Sequence, residues 1–399
     1  MLFAPSRIDL AFVVGSLALL GVALASYARF RRAVRRPPDH PPSLARYPSL
    51  TVIRPVRGRD VGARENFAAA LQNGYPGEVE TLFVFDDETD PGLDPARDAI
   101  RAHRAGGGRG TASILYCGQP PAGRTGKLHA MATGMRYARG ELVAFGDSDT
   151  RPDETLLRVL VDELLADPRN GSTFAPVVVL GPARTLGDVG YQLLINGLYG
   201  PAVAAVAARG HVPFIMGQLM VFRRAALRDV GGVECADGQL VDDMHIGMAL
   251  HAAGWRNVMV THPLPIVTGD MRFADFVRLV RRWMLFSHTG LPRSFARPLW
   301  VMGAAFWLGL AAAFGALAAG HPFAALLPAA TVLALSVELD ALQHRFGGAR
   351  FGARLGWFSC ALFLLVPPIF AMTRLNRQME WRGRRYPVSD EHRLAPAHS

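Results

Sequence analysis

The chain has 399 residues, half of them hydrophobic, which suffices for one large globular domain plus membrane segments but not for several independent domains. Its three cysteines, Cys117, Cys235 and Cys360, lie far apart without CxxC spacing, so neither a disulfide framework nor a zinc site is indicated. The formal charge of +10 does not point to nucleic acid, because much of the basic excess flanks apolar runs or clusters near residues 278–297, where anionic lipid headgroups account for it better.

In chain order, the first element is an apolar run, residues 10–28, without any Asp, Glu, Lys or Arg. It has no small-residue cleavage site before its charged flank and reads as an uncleaved transmembrane helix over residues 8–28. Arg29, Arg31, Arg32, Arg35 and Arg36 follow it, whereas only Arg7 precedes it. Basic residues stay on the cytoplasmic side, so the N-terminus is expected to face out and the bulk of the chain to face the cytoplasm. A proline-rich linker, residues 36–47, should be extended.

From residue 48 to 270 short apolar runs alternate with helix-like stretches, the βαβα signature of an α/β sheet. Strands are predicted at 50–54, 81–85, 113–117, 142–145 and 174–179, and residues 106–110 read as a surface loop. Residues 271–297 form an arginine-rich amphipathic stretch ending at three further apolar runs, 298–320, 323–337 and 355–373. Three full crossings would leave the basic tail, residues 374–399, outside, against the charge rule. Pro367-Pro368 interrupt the last run, so the C-terminal region 298–373 is predicted as two crossings plus a broken, re-entrant or interfacial segment. The alternative is a kinked full crossing.

Three acidic clusters carry candidate chemistry. Phe83-Val84-Phe85-Asp86-Asp87 is an apolar strand ending in carboxylates, where an Asp can accept hydrogen bonds from a nucleobase or ribose, or merely cap a helix. In Gly146-Asp147-Ser148-Asp149 another buried strand runs into two carboxylates able to hold one hard divalent cation against a diphosphate. The same residues could form an Asx turn and the N-cap of a helix starting near Pro152. Val241-Asp242-Asp243-Met244 precedes a helix predicted at 246–253, and serves either as acids at a helix dipole or as the source of a general base.

Lys127, in Gly126-Lys127, opens a helix and is either a phosphate contact or a solvated lysine; the spacing is not that of a Walker loop. Arg282-Trp283, within 276–284, can sit on the bilayer surface with Trp283 as anchor, hold a diphosphate or close over an acceptor.

The order of these motifs resembles the ceramide glucosyltransferase family, a membrane branch of the inverting A-type glycosyltransferases. The likeness runs from Leu50 to Trp283 and extends in architecture to the anchor, the C-terminal membrane segments and the tail Trp381-Arg382-Gly383-Arg384-Arg385-Tyr386. It implies an α/β fold with a Rossmann-like mixed sheet. In the family's D,D,D,(Q/R)xxRW pattern, Asp86 matches the nucleotide-contacting Asp, Asp147 with Asp149 the metal site, Asp243 the base, and Arg282-Trp283 the closing pair. The first position of the last motif falls on Leu279, with Arg278 and Arg281 the nearest candidates to compensate. Segment 214–224 matches the family's acceptor-side strand loosely. Residues 238–243 look at least as close to the hopanoid-associated glycosyltransferases, which transfer N-acetylglucosamine.

The resemblance implies a UDP-sugar donor, Mg²⁺ or Mn²⁺ as cofactor, and a hexose, glucose first, transferred with inversion to a lipid hydroxyl, ceramide first. Lys127, Asp86 and Asp147 would bind the donor. The setting would be a bacterial-type inner membrane with the catalytic domain cytoplasmic; the sequence leaves a homodimer open. A processive polysaccharide synthase would need more crossing helices for its channel, and a transporter would not devote most of its length to an α/β domain. A non-catalytic nucleotide-binding membrane subunit would show no transfer with any acceptor.

Overall fold

The computed structural model describes residues 7–34, 44–286, 293–375, 378–389 and 393–394. Arg35, Arg36, the linker up to residue 43 and the tail from 395 lie outside them.

The strands are β1 (Leu50–Pro55), β2 (Val79–Phe85), β3 (Thr111–Tyr116), β4 (Leu142–Gly146), β5 (Asn170–Phe174), β6 (Val177–Leu180), β7 (Leu219–Arg223), β8 (Arg256–Met259), β9 (Leu264–Val267), β10 (Gln378–Trp381) and β11 (Arg384–Pro387). Seven form one mixed sheet ordered β3-β2-β1-β4-β7-β5-β8, the α/β architecture expected. β1 to β4 run parallel within it, and β7 is antiparallel to both β4 and β5. The central strands are buried on both faces, which is why β2 and β4 read as unbroken apolar runs without alternation. Because β1, β2 and β4 are parallel, the residues that follow them, from Val56, Asp86 and Asp147, emerge at one edge of the sheet. Ligands of open α/β sheets bind at that edge.

The strand predicted at 174–179 is two strands. Pro176 has no N–H to donate, so the ladder stops. β5 stays in the large sheet beside β8, while β6 pairs in parallel with β9. The helix expected near Pro152 starts at Leu156, because the Asp153 carboxylate accepts from the backbone N–H groups of Thr155 (2.9 Å) and Leu156 (3.0 Å). The helix predicted at 246–253 spans Asp242–Ala252, which puts Asp242 and Asp243 in its first turn, not ahead of it.

Among the described residues four helices are long and apolar enough to cross a bilayer, with spans Val13–Ala33, Phe295–Ala318, Pro322–Arg345 and Arg354–Thr373. Leu10, Trp300, Leu308, Phe314, Phe323 and Leu333 expose large apolar side chains along them, the surface that lipid would cover. The N-terminal helix packs against both Arg293–Ala318 and Pro322–Arg345.

Pro367-Pro368 do not break the last segment: Phe358–Leu375 is one helix with both prolines inside it. Pro367 cannot donate to the Phe363 carbonyl four residues earlier. The indole Nε1 of Trp307, on the neighbouring helix, takes that carbonyl instead at 3.1 Å. At one end of this helix the Phe358 ring meets Phe273 (5.9 Å between centroids) and Phe276 (6.3 Å) of the helix Phe273–Phe286. Beyond its other end, β10 packs on that same helix. The Phe358 end and the hairpin that follows the helix therefore both adjoin the amphipathic helix that borders the α/β domain.

Candidate active site

At the carboxyl edge of the sheet lies a cavity of about 410 Å³ lined by all seven residues singled out from the sequence: Asp86, Lys127, Asp147, Asp149, Asp243, Arg282 and Trp283. They come from five separate segments, so the sheet topology assembles what the sequence keeps up to 197 positions apart, from Asp86 to Trp283.

Asp86 follows β2 and is 5% exposed. It is no helix cap, being ion-paired to Arg57 and, at 3.0 Å, to Arg384. Asp147 follows β4, and its backbone N–H donates to the Gln218 carbonyl (2.9 Å) next to β7. From below, the fully buried Arg54 of β1 donates to the Asp147 carbonyl (2.5 Å) and to Thr150. Burial pushes the Arg54 pKa down to about 10, against the pull of Asp147, Asp149 and Asp60. This guanidinium holds the Asp-x-Asp backbone in place.

Lys127 is not a solvated lysine. Thr125 caps its helix by accepting from Leu128 N–H (3.1 Å), which turns Lys127 inward to an ion pair with Asp147 Oδ1 at 2.6 Å. Burial opposes its charge, but Asp147, Asp242 and Asp243 outweigh that and raise its pKa.

Asp149 is half-buried, and its Oδ1, which is shut off from solvent, has no hydrogen-bond partner. Burial first, then Asp147 and Asp60, push its pKa up to about 6. A buried, unpaired carboxylate oxygen next to a second carboxylate is a site short of positive charge. Asp147 and Asp149 therefore fit a divalent cation. Among the described residues no third His, Cys, Asp or Glu completes a protein cage. That suits a cation of the Mg²⁺ kind, which takes one or two carboxylates and fills its shell with water and substrate phosphate.

Asp243 sits across the cavity. Burial first, then Asp242, lift its pKa to about 7, which suits a group that must take up a proton near neutrality. It reaches this place because Gly217, ahead of β7, has no side chain: a Cβ there would stand 2.4 Å from Asp243 Oδ2 and 2.7 Å from its Cβ. Gly217→Ala is expected to displace this carboxylate and lower kcat on the order of 10²-fold, the usual cost of misplacing a reacting group by about 1 Å. Steady-state rates on the purified variant check this; an unchanged kcat would mean that Asp243 need not stand there.

Trp283 points into the cavity, not out to the bilayer as an anchor. Its ring lies 5.0 Å from that of Tyr199, which in turn meets Phe295 at 4.9 Å. Tyr199 ends a π-helical turn, Leu193–Tyr199, an irregularity common at functional sites. Phe295 belongs to a membrane-length helix and lines the cavity, so one wall of the site is continuous with the apolar helices.

Leu279 also lines this cavity. Neither arginine expected to compensate for it does so: Arg278 turns to Asp275 on its own helix, and Arg281 faces a second, neighbouring cavity. Positive charge comes instead from Arg57 and from the β10–β11 hairpin, whose Arg382 and Arg384 line the site and whose Trp381 ring lies 5.6 Å from the Arg282 guanidinium. These residues were not singled out individually from the sequence. Alternating inward residues Met379 and Trp381, then Arg384 and Tyr386, around an Arg-Gly pair were the available signal for a two-residue hairpin.

The sequence profile described as glycosyl transferase family 21 matches residues 13–394. The chain belongs to that family. Two curated relatives are Ceramide glucosyltransferase 1 of Caenorhabditis elegans, 24% identical over 277 residues (68% of this chain, 55% of that protein), and Ceramide glucosyltransferase 3 of the same organism, 20% identical over 280 residues (69% and 57%). The chain thus spans a little over half the length of these relatives. Among solved structures, a mannosyltransferase from Pyrobaculum calidifontis in complex with GDP-mannose and Mn²⁺ superposes with a TM-score of 0.55 at 22% identity, over 92% of this chain and 98% of that one. The fold of this family 21 chain is accordingly that of the A-type glycosyltransferases, joined to membrane-length helices.

Proposed function

We propose that the enzyme transfers a hexose, glucose foremost, from a UDP-sugar to the hydroxyl of a membrane lipid, ceramide foremost, with inversion at the anomeric carbon. The observation that carries this reading is the cavity's composition. Asp86, Asp147 and Asp149 stand at one end, and Asp243 faces a wall of Trp283, Tyr199 and Phe295 that continues into the apolar helices. A polar donor and an apolar acceptor thus have separate approaches to one point. The ceramide-glucosylating relatives suggest the substrate pair, and the positive flank of the N-terminal helix supports a cytoplasmic site in a bacterial-type inner membrane.

In this mechanism Asp86 releases its arginines to accept from the uracil. Asp147 and Asp149 would hold a divalent cation, which when bound neutralises charge on the diphosphate. The Asp243 carboxylate takes the proton of the lipid hydroxyl as its oxygen bonds to the anomeric carbon. The bond from that carbon to the phosphate oxygen breaks, and UDP departs with the electron pair. Lys127 and Arg282 offset the charge that develops there. One base suffices, because attack and departure occur on opposite faces of the sugar.

Radiolabelled UDP-glucose and UDP-N-acetylglucosamine, supplied with ceramide, diacylglycerol or hopanoid acceptors in membranes, test the assignment. Labelled glucosylceramide is the expected product. Label on a hopanoid would move the acceptor class, and no labelled lipid with any acceptor would overturn the reading.

A further inference from the structure

Five carboxylates line the cavity (Asp86, Asp147, Asp149, Asp242 and Asp243), as do five cations (Arg57, Lys127, Arg282, Arg382 and Arg384). Two of the cations come from the β10–β11 hairpin, which lies after all the membrane-length helices. Without the hairpin the cavity is anionic and would repel a nucleoside diphosphate. With it the charges balance, and a divalent cation would leave an excess that matches the diphosphate.

The hairpin is built to hold those arginines over the site. Its turn, Arg382-Gly383, has positive φ at both residues (50° and 74°), the form that joins two strands through a two-residue turn. Gly is at home there, whereas Arg is not, and such a residue persists where the surroundings over-determine it. Here they do. Arg57 Nε donates to the Arg382 carbonyl (2.7 Å), and Arg382 Nη1 donates to the Arg57 carbonyl (3.2 Å) and to Asp60 (2.5 Å). Tyr386 Oη accepts from Gly126 N–H (3.1 Å), beside Lys127. Met379 packs with Leu240 and Leu394, and Leu394 N–H donates to the Gly238 carbonyl (2.9 Å), just ahead of Asp242 and Asp243. Arg384 is largely buried, yet its Nη1 has no hydrogen-bond partner.

We propose that the hairpin is a strap over the donor, in which Arg382 and Arg384 exchange Asp60 and Asp86 for the diphosphate of the nucleotide sugar. Its carboxylate partners are placeholders for phosphate oxygens, and the unpaired Arg384 Nη1 is a donor awaiting one. Arg384 leaves Asp86 as the base arrives there, so recognition of the base and clamping of the diphosphate are one event. The inference rests on the nucleotide-sugar reading of the site but not on which sugar or lipid is used.

The test is equilibrium binding of uridine, UMP and UDP to the full-length purified protein with Mn²⁺, for the wild type and for Arg382→Gln, Arg384→Gln and Arg385→Gln. Arg385 points away from the cavity, between Arg384 and Tyr386. Each of the first two variants is expected to weaken UDP binding by about 10- to 100-fold, as loss of a charge-assisted contact to phosphate does. UMP and uridine binding should not weaken, and uridine should bind Arg384→Gln somewhat more tightly because Asp86 has lost a competing partner, which also shows that the variants are folded. Arg382→Lys should recover part of the loss, since charge returns without the planar fork. Equal weakening of all three ligands, no weakening of UDP, or a loss in Arg385→Gln matching that in Arg382→Gln would overturn the strap. A guanosine series run in parallel separates the two ideas: tighter binding of GDP than UDP would remove the uridine donor, while the same variants would still report on the diphosphate clamp.

Discussion

Asp243→Asn is expected to lower turnover by about 10²- to 10⁴-fold, the range that a positioned general base supplies, while leaving UDP binding intact. The wild type should show kcat/KM rising with pH through about 7 and levelling above it, because the carboxyl must first lose its proton to accept one from the lipid hydroxyl. The variant should lack that limb. Stability moves the other way. A carboxyl whose pKa is raised on folding binds more protons folded than unfolded, so its contribution falls as pH rises from the unfolded value of 3.8 through about 7. Above neutrality the wild type carries a buried charge that costs stability, and Asp243→Asn removes it. The variant's thermal midpoint at pH 8 should therefore be at or above that of the wild type. Rate profiles and thermal scans in detergent measure both. A variant that kept its turnover would take Asp243 out of the base role, and one that lost rate and stability together would make its role structural.

Chelation with EDTA should abolish transfer, and added Mg²⁺ or Mn²⁺ should restore it. Asp149→Asn should cost on the order of 10³-fold in kcat/KM, the several kcal/mol that a cation on a leaving diphosphate supplies. The structural basis is the unpaired Asp149 oxygen beside Asp147. Lys127 already lends Asp147 one positive charge at 2.6 Å, so the incoming cation works against that ion pair. Lys127→Met should accordingly tighten metal binding measured without nucleotide. Turnover undiminished in chelator would remove the metal from Asp147 and Asp149.

The carboxylates and lysine of the candidate site were legible because each stands where an apolar strand or a helix start gives way to polar sequence, as at Phe85-Asp86 and Gly146-Asp147. Periodicity found the parallel strands for the same reason: buried on both faces, they are runs of Val, Leu and Phe. It missed the subdivision at Pro176, where one missing N–H sends the chain from the large sheet into a second one. It also misjudged Pro367-Pro368, since the partner that rescues the freed carbonyl, Trp307, lies 56 residues from it. Local sequence shows that a hydrogen bond is lost but not who replaces it. Trp283 was ambiguous on similar grounds: an amphipathic helix displays two faces, and only packing against Tyr199 decided which one the indole occupies. Arg382 and Arg384 escaped individual notice because their chemistry depends on Asp60 and Asp86, about 300 positions earlier.

The hairpin's place in the chain bears on biogenesis. It is synthesised after all four apolar helices, yet it furnishes two of the five cations in a cavity whose carboxylates were made long before. A nascent chain therefore holds an anionic, incomplete pocket until the hairpin that follows its final apolar helix has docked. A chain whose last apolar helix delivered the hairpin to the other face of a bilayer would lack Trp381, Arg382 and Arg384 in the pocket. Completion of the pocket is thereby tied to where the last apolar helix comes to rest, so placement of that helix and assembly of the site are a single requirement.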